Sequence, residues 1–191
     1  MLIKKSDPRQ KKLIFNALVG GGIVIMACDT IYGFVGVSGD TDDRIRTVKR
    51  RRKGKPFIAL MPDLAWLPRF TDVFLPEKLK AYWPGPLTLI VPAKQGGTIA
   101  LRIPRDSTLR WLLRRIDRTL NSTSVNVEGQ TAMHKIADII PAFESHVDLV
   151  VDSGDLDDGE PSTMLDLSQS PYRIVRQGAL SIDLEAIQED R

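Results

Sequence analysis

Residues 23–33 read IVIMACDTIYG, an unbroken apolar run that ends in a cluster of polar side chains. A continuous apolar run is typical of a strand that is covered on both faces, as in a sheet packed between helices. An apolar stripe at helical spacing, from Leu13 to Leu18, comes before it. The stripe predicts a helix that begins at Asp7-Pro8 and ends at the three glycines of residues 20–22. A helix followed by a buried strand favours an α/β fold.

Alternating helices and strands continue along the rest of the chain. Strands are predicted at 34–37, 57–61, 87–91, 99–104, 119–124, 146–151 and 172–176, and helices from Thr41 or Asp42, from Asp63, from Pro76, at 107–116 and at 132–140. No repeat, linker or low-complexity tract separates them. Interleaved elements without a break predict a single α/β domain over residues 1–191, with a largely covered sheet. Polar clusters follow several strands, and ligands tend to bind at strand ends in such sheets.

The composition is that of an ordinary globular protein. Of the 191 residues, 42% are hydrophobic and 27% are charged, and the net charge is only +3. The single cysteine, Cys28, excludes an internal disulfide framework and a cysteine-based metal site, and two histidines argue against a histidine-rich metal centre. The absence of a long apolar run and of a signal-like N-terminus predicts a cytoplasmic protein without a membrane partner.

A local cationic cluster contrasts with this low net charge. Residues 49–56 read KRRRKGKP, with six cations among the first seven residues, and the apolar run 57–61 follows directly. We expect the cluster to form the last turn of the helix from Thr41 or Asp42 and to lead into a buried strand at the rim of the sheet. Side-chain charge and backbone N–H groups can hold phosphate there. The ordinary explanation of such a run is a solvated basic loop.

Four further clusters carry groups that could bind a ligand. They are Thr30 and Tyr32 after the first buried strand, Arg102 inside an apolar strand, the hydroxyl and amide groups of residues 122–126, and Ser162-Thr163. Turn chemistry or a solvent-facing strand position explains each of them separately. The sequence shows no nucleophile–base pattern and no phosphate-binding glycine motif. The residues alone indicate a cationic, hydroxyl-rich site at strand ends, suited to an anionic small molecule or to nucleic acid.

Taken in order along the chain, these clusters resemble the YrdC-like family of threonylcarbamoyl-AMP synthases. The matching segments are CDTIYG (28–33), KRR (49–51), PF (56–57), WPGPLT (83–88), LRIP (101–104), TSVN (123–126) with Gly129, STMLD (162–166) and VRQGA (175–179). They follow the family's order and span nearly the whole chain. Cys28 and Val125 replace the usual threonine and alanine, and Leu60 stands where one major branch has histidine.

The resemblance implies a fold and a reaction. The fold is a twisted mixed sheet wrapped by helices, with a concave basic cleft. The reaction makes threonylcarbamoyl-AMP and pyrophosphate from L-threonine, bicarbonate and ATP, with Mg²⁺, as the first step of threonylcarbamoyladenosine formation in tRNA. A downstream threonylcarbamoyl transferase complex would take the product. Because this chemistry requires no protein nucleophile, Cys28 is expected to be a structural or pocket-lining thiol.

The resemblance also implies roles for individual residues, which fall into three groups. The catalytic pair that stabilises charge on the phosphates would be Lys49 and Arg51. The threonine-binding residues would be Thr30, Tyr32, Ser124 and Arg102, with Arg102 paired to the carboxylate. The nucleotide-binding residues would be Lys49, Arg51, Lys55, Asn126, Ser162, Thr163 and Arg176.

Two alternatives stay open on the sequence. The same basic cleft could bind tRNA or double-stranded RNA without catalysis, since RNA helices are recognised largely by shape and backbone charge. The chain could also be a carbamoyl-adenylate enzyme that uses another amine as acceptor. RNA binding would weaken steeply with salt, whereas a nucleotide pocket would bind ATP stoichiometrically.

Overall fold

One mixed sheet of ten strands runs through the protein in the computed structural model, which describes residues 1–29, 31–157 and 159–188. The strands are β1 (Leu2–Lys4), β2 (Val24–Cys28), β3 (Ile31–Val37), β4 (Ile58–Leu60), β5 (Leu87–Pro92), β6 (Thr98–Arg102), β7 (Leu120–Ser124), β8 (Leu149–Asp152), β9 (Thr163–Asp166) and β10 (Arg173–Arg176). Their order across the sheet is β1-β8-β2-β3-β7-β4-β6-β5-β9-β10. Parallel and antiparallel pairs both occur, so the predicted mixed sheet is confirmed.

Helices cover both faces of this sheet. They are α1 (Gln10–Val19), α2 (Asp42–Lys49), α3 (Glu77–Lys80), α4 (Ser107–Ile116), α5 (Ile136–Phe143) and α6 (Leu184–Gln188), with 3-10 helices at Leu64–Arg69 and Glu144–His146. Alternate residues of a strand point to opposite faces. Met26 and Val35 therefore pack with α1 and α4, whereas Ile25 and Phe34 pack with α2 and α5. None of the described helices combines the length and apolar character that a bilayer crossing requires.

Helices α1 and α4 cover only part of one face of the sheet, and further along the sheet the described residues leave that face open. Ile58 of β4 pairs with Ser122 of β7 and with Ala100 of β6, so these three side chains share one face. The other face of β5 and β6 is closed by a separate apolar cluster that includes Leu89 and Leu101. The sheet therefore presents an open concave surface on one side only.

Two predicted helix starts are wrong, by two residues for the first helix and by four for the helix predicted from Ala132. Helix α1 begins at Gln10, because the Asp7 carboxylate accepts the backbone N–H two residues later at 2.8 Å and forms a turn before the helix. Helix α5 begins at Ile136, because the Met133 N–H donates to the Val125 carbonyl at 2.9 Å and keeps the preceding segment extended. Both errors come from side-chain or long-range hydrogen bonds that compete with the first helical turn.

The cationic cluster is a loop and is not the last helical turn that we expected. Helix α2 ends at Lys49, and Arg50 adopts a left-handed conformation with φ 52°. The Arg46 side chain donates to the carbonyls of Arg52 and Lys55 at 3.2 and 3.0 Å. These bonds fold residues 50–57, which we call the basic loop, back towards the end of α2.

Candidate functional site

The concave surface holds a cavity of about 850 Å³. Its floor consists of side chains from β3, β4, β5, β6, β7 and β9, and the basic loop and residues 126–134 border it. Eight of the predicted site residues line this cavity, namely Lys49, Arg51, Lys55, Arg102, Ser124, Asn126, Ser162 and Arg176. The structure therefore brings together most of the residues that the sequence placed at separate strand ends.

Lys49 lies at one end of the cavity, on the last turn of α2. Its ammonium donates to the Ser124 carbonyl and to the carbonyl and side-chain oxygens of Asn126, the latter two at 3.0 and 2.6 Å. An ammonium has three N–H donors, so these three oxygens satisfy it. Lys49 is only 2% exposed, and this burial, reinforced by the nearby Arg51, lowers the pKa of Lys49 to about 7.

The basic loop is tied to the cavity by Glu128, which sequence reasoning did not identify. The Glu128 carboxylate accepts the Arg52 N–H at 2.7 Å and the Lys55 ammonium at 3.0 Å. Arg51 donates to the Pro56 carbonyl at 2.7 Å, and its Nε is buried without a hydrogen-bond partner among the described residues. Burial lowers the pKa of Arg51. The loop thus holds Arg51 at the cavity wall with an unsatisfied donor.

Arg102 is the last residue of β6 and lies at the end of the cavity opposite to Lys49. It is 7% exposed and donates to the Gly85 carbonyl at 3.2 Å and to the Asp29 carboxylate at 2.8 Å. Asp29 precedes β3 and has a left-handed backbone, with φ 62°. The predicted mid-strand arginine is thus neither solvent-facing nor isolated. It forms a buried ion pair that borders the cavity.

Arg176 of β10 is a second guanidinium near Arg102. It donates to the Ser162 carbonyl from Nε at 3.0 Å and from Nη2 at 2.8 Å, and Ser162 in turn shares a 2.8 Å hydrogen bond with Thr88. Burial, followed by the charge of Arg102, lowers the pKa of Arg176. Two guanidiniums therefore share this end of the cavity with hydroxyl groups.

Tyr32 and Thr163 lie beside the cavity, and their side chains do not line it. Because side chains alternate along a strand, Ile31 and Gly33 face the cavity while Tyr32 points to the other side of the sheet. There its hydroxyl donates to the Gly154 carbonyl at 2.7 Å. The Thr163 hydroxyl donates to the Leu180 carbonyl at 2.6 Å.

The remaining predicted residues are Thr30 and Cys28. Thr30 lies outside the described residues. Cys28 borders the cavity, and burial raises the pKa of its thiol to about 12, while a hydrogen bond with Ser122 acts weakly in the other direction. Such a thiol stays protonated at neutral pH, which does not suit a nucleophile.

The charge of the cavity is strongly positive. Among the described residues that line it, five are cations (Lys49, Arg51, Lys55, Arg102 and Arg176), and Glu128 is the one carboxylate. No group of three or more His, Cys, Asp or Glu residues in the described ranges could hold a metal ion. The arrangement can stabilise an anion with several negative charges, and hydroxyl and amide groups lie between the cations to orient it.

Comparison with known proteins identifies relatives by sequence. The Sua5/YciO/YrdC family model, described as telomere recombination, matches residues 16–178. The threonylcarbamoyl-AMP synthase of Pyrococcus abyssi is 28% identical over 181 residues, covering 85% of this chain and 52% of that protein. A putative threonylcarbamoyl-AMP synthase of Methanocaldococcus jannaschii is 27% identical over 190 residues, covering 92% and 90%. The chain thus spans about half the length of the Pyrococcus relative.

Solved structures of similar proteins share the fold. The Pyrococcus abyssi Sua5 structure, complexed with L-threonine, has a TM-score of 0.85 at 22% identity and covers 99% of this chain and 60% of that one. Escherichia coli YciO has a TM-score of 0.83 at 23% identity, covering 96% and 97%. The MTH1692 protein of Methanobacterium thermoautotrophicum is 31% identical with a TM-score of 0.68, covering 93% and 90%. The mixed sheet wrapped by helices is therefore common to this chain and these proteins.

Proposed function

The chain belongs to the Sua5/YciO/YrdC family, and from this premise we propose that it is a threonylcarbamoyl-AMP synthase. The substrates would be L-threonine, bicarbonate and ATP, and the products threonylcarbamoyl-AMP and pyrophosphate. One observation carries the proposal, namely a single cavity lined by five basic side chains and one carboxylate. The names of the two sequence relatives and the threonine complex of the Pyrococcus structure support it.

The reaction places its largest charge changes on phosphate. The threonine amine attacks carbon dioxide derived from bicarbonate and loses a proton, which gives a carbamate. A carbamate oxygen then attacks the α-phosphorus of ATP, the bond to the β-phosphate oxygen breaks, and pyrophosphate leaves. Cations that are fixed before the reaction stabilise the developing charge without reorganisation. No step uses a protein nucleophile, in keeping with the protonated Cys28 thiol.

The phosphates would lie against the basic loop. Arg51 lines the cavity, and Lys55 is held at the rim by Glu128. Lys49 already donates to three protein oxygens, so its contribution is charge and the placement of Ser124 and Asn126. Magnesium would arrive as part of the ATP complex, because the described cavity residues offer it a single carboxylate.

The amino acid would lie towards Arg102 and Arg176. A guanidinium binds a carboxylate through two parallel N–H donors, whereas a lysine ammonium lacks this planar pair. Arg102 is buried at the cavity and is held from behind by Gly85 and Asp29. It is therefore the residue best placed to receive the threonine carboxylate, with Ser124 and Asn126 between the amino acid and the nucleotide.

The direct test is product formation. The protein is incubated with ATP, Mg²⁺, bicarbonate and each of a panel of amino acids, and pyrophosphate release and the mass of the adenylate are measured. Threonine-dependent adenylate is the expected result. A product formed with a different amine would replace threonine as the acceptor, and salt-sensitive RNA binding without any adenylate would refute the enzyme in favour of a binding module.

A variant then links the activity to the cavity. We expect Arg102→Lys to raise the KM for threonine about tenfold or more and that for ATP much less, because charge is kept while the paired donors are lost. Arg173→Lys is the matched control, because Arg173 is an exposed arginine of β10 that does not line the cavity. Equal threonine kinetics in the wild-type protein and Arg102→Lys would remove Arg102 from the site.

The adenylate would pass to a threonylcarbamoyl transferase complex that acts on tRNA.

A further inference from the structure

The geometry around Arg102 points to a role for Asp29 that goes beyond the motif in which it occurs. We infer that Asp29 is a positioning residue, which fixes the Arg102 guanidinium so that the site selects a substrate carrying one free carboxylate. The inference rests on the proposed function for the identity of the amino acid. The positioning itself rests on the contacts described below.

The Asp29 carboxylate accepts three hydrogen bonds. Oδ2 accepts from Arg102 Nη2 at 2.8 Å and from the Arg105 backbone N–H at 2.8 Å, and Oδ1 accepts from the Asp106 backbone N–H at 2.6 Å. The side chains of Asp29 and Arg102 are 10% and 8% exposed. The residue as a whole is exposed, but its carboxylate is shielded, and three donors leave this carboxylate one orientation, so Asp29 is a fixed anchor for Arg102.

The remaining donors of Arg102 are available on the cavity side. A guanidinium has five N–H groups. Within the described residues, Nε donates to Gly85 and one Nη2 hydrogen donates to Asp29, and neither acceptor residue lines the cavity. Arg102 also lines the cavity, so its other N–H groups can face a ligand. A guanidinium held along its Nε/Nη2 edge presents its Nη1/Nη2 end at a fixed angle, and that end carries the paired N–H donors that recognition of a carboxylate requires.

The charge count at this end of the cavity matches a monocarboxylate. Arg102 and Arg176 contribute two positive charges, and Asp29 offsets one of them. One net positive charge remains for one substrate carboxylate. Without Asp29 the pair of guanidiniums would attract any anion, including a phosphate of ATP bound in the wrong orientation. Asp29 therefore lowers the net charge of the two guanidiniums from two to one.

Asp29→Asn is the informative variant. Asparagine tolerates the left-handed backbone as well as aspartate does, so the φ of 62° carries no new strain. It removes the negative charge and replaces one accepting oxygen with a donor, which leaves the Arg102 guanidinium without its ionic anchor. We expect the KM for threonine to rise about tenfold or more, with the KM for ATP changed less than about threefold.

A double-mutant cycle tests whether Asp29 acts through Arg102. If it does, Asp29→Asn has little further effect on the threonine KM in the Arg102→Lys background, whereas independent roles would add. Asp152→Asn is the matched control, because Asp152 is an aspartate at a strand end whose side chain is as little exposed as that of Asp29 and has a lysine partner, and it does not line the cavity. Additive effects in the cycle, or an equal rise of the threonine KM in the control, would overturn the inference.

Two readouts keep this test independent of the proposed function. Adenylate formation by the wild-type protein is measured first and decides that function alone. The ¹⁵N–¹H signals of the Arg102 guanidinium need no substrate, and hindered rotation in the wild-type protein should become free in Asp29→Asn. Unchanged guanidinium signals would overturn the positioning role whatever the activity. Should the asparagine variant fail to fold, Asp29→Glu displaces the carboxylate by one methylene and takes its place in the same measurements.

Two ligands that differ only at the carboxylate test whether Asp29 makes the site select that group. L-threonine and L-threoninamide are titrated calorimetrically against the wild-type protein and Asp29→Asn. We expect the wild-type protein to prefer L-threonine about tenfold or more and the variant to lose most of that preference. Equal preference in both proteins would contradict a role for Asp29 in selecting the carboxylate.

Discussion

Comparison of the wild-type protein with Lys49→Met should show how much Lys49 makes the free energy of unfolding depend on pH. Methionine keeps most of the apolar stem and removes the titrating group. Burial lowers the pKa of Lys49 from 10.5 to about 7, so the folded protein releases this proton near neutrality while the unfolded chain keeps it up to about pH 10. The unfolded state then binds more protons between these values, and the free energy of unfolding rises with pH across that window.

The expected magnitude follows from the two pKa values. A group that titrates near 7 when folded and at 10.5 when unfolded contributes a rise of about 2 kcal/mol between pH 7 and pH 9, and almost none below pH 6. The wild-type protein should therefore gain about 2 kcal/mol relative to Lys49→Met over this interval. Urea denaturation of both proteins at pH 6, 7, 8 and 9 measures the difference.

The three oxygens around the ammonium provide the opposing effect. Acceptors favour the charged form, because a neutral amine has only two N–H groups for the carbonyl of Ser124 and the two oxygens of Asn126. A stability difference that stays constant within about 0.5 kcal/mol from pH 6 to pH 9 would show that these acceptors outweigh burial and would refute the reasoning. Lys12→Met, on the exposed side of α1, is the control and should show a flat difference.

Two further substitutions test the cavity. Arg51→Ala should lower kcat/KM for adenylate formation about 10- to 100-fold, since one charge-assisted contact to phosphate contributes about 1.5–3 kcal/mol. Unchanged turnover in this variant would show that the basic loop is a solvated segment without a role in phosphate binding. Cys28→Ser should stay folded and active, because the thiol is protonated and no step needs a nucleophile; complete loss of activity in a variant with an intact circular dichroism spectrum would contradict this.

Much of the architecture could be predicted because its signals are local. Apolar runs bounded by glycine, proline or polar clusters placed β2, β5 and β7 within a residue or two of their observed bounds. The unpredicted elements, β1, β9 and α6, are only three to five residues long, and their partners determine them. Strand β9, for example, pairs in parallel with β5, whose partner residues are 76 positions earlier in the chain.

The candidate site was harder to predict because its contacts are long-range. Asp29 contacts Arg105 across 76 residues, and Glu128 contacts Arg52 across the same separation, so neither role has a local sequence signal. The positions of Tyr32 and Thr163 were missed for a simpler reason. A short motif in a strand places alternate side chains on opposite faces, and only register against the neighbouring strands decides which of them face the cavity.

The order of the strands has a consequence for how activity depends on folding. The cavity floor joins β3, β7, β4, β6, β5 and β9, which span residues 31 to 166, and β5 and β6 are the one pair of sheet neighbours among them that is also consecutive in the chain. The other pairings have a high contact order, and their loop-closure entropy must be overcome before any of them is stable. The contiguous segment 58–102 contains three of the six floor strands, but β3 comes before it and β7 and β9 come after it, so no fragment shorter than residues 31–166 contains the whole floor. Recovery of activity during refolding should therefore coincide with the final cooperative step and should lag behind the return of helical signal.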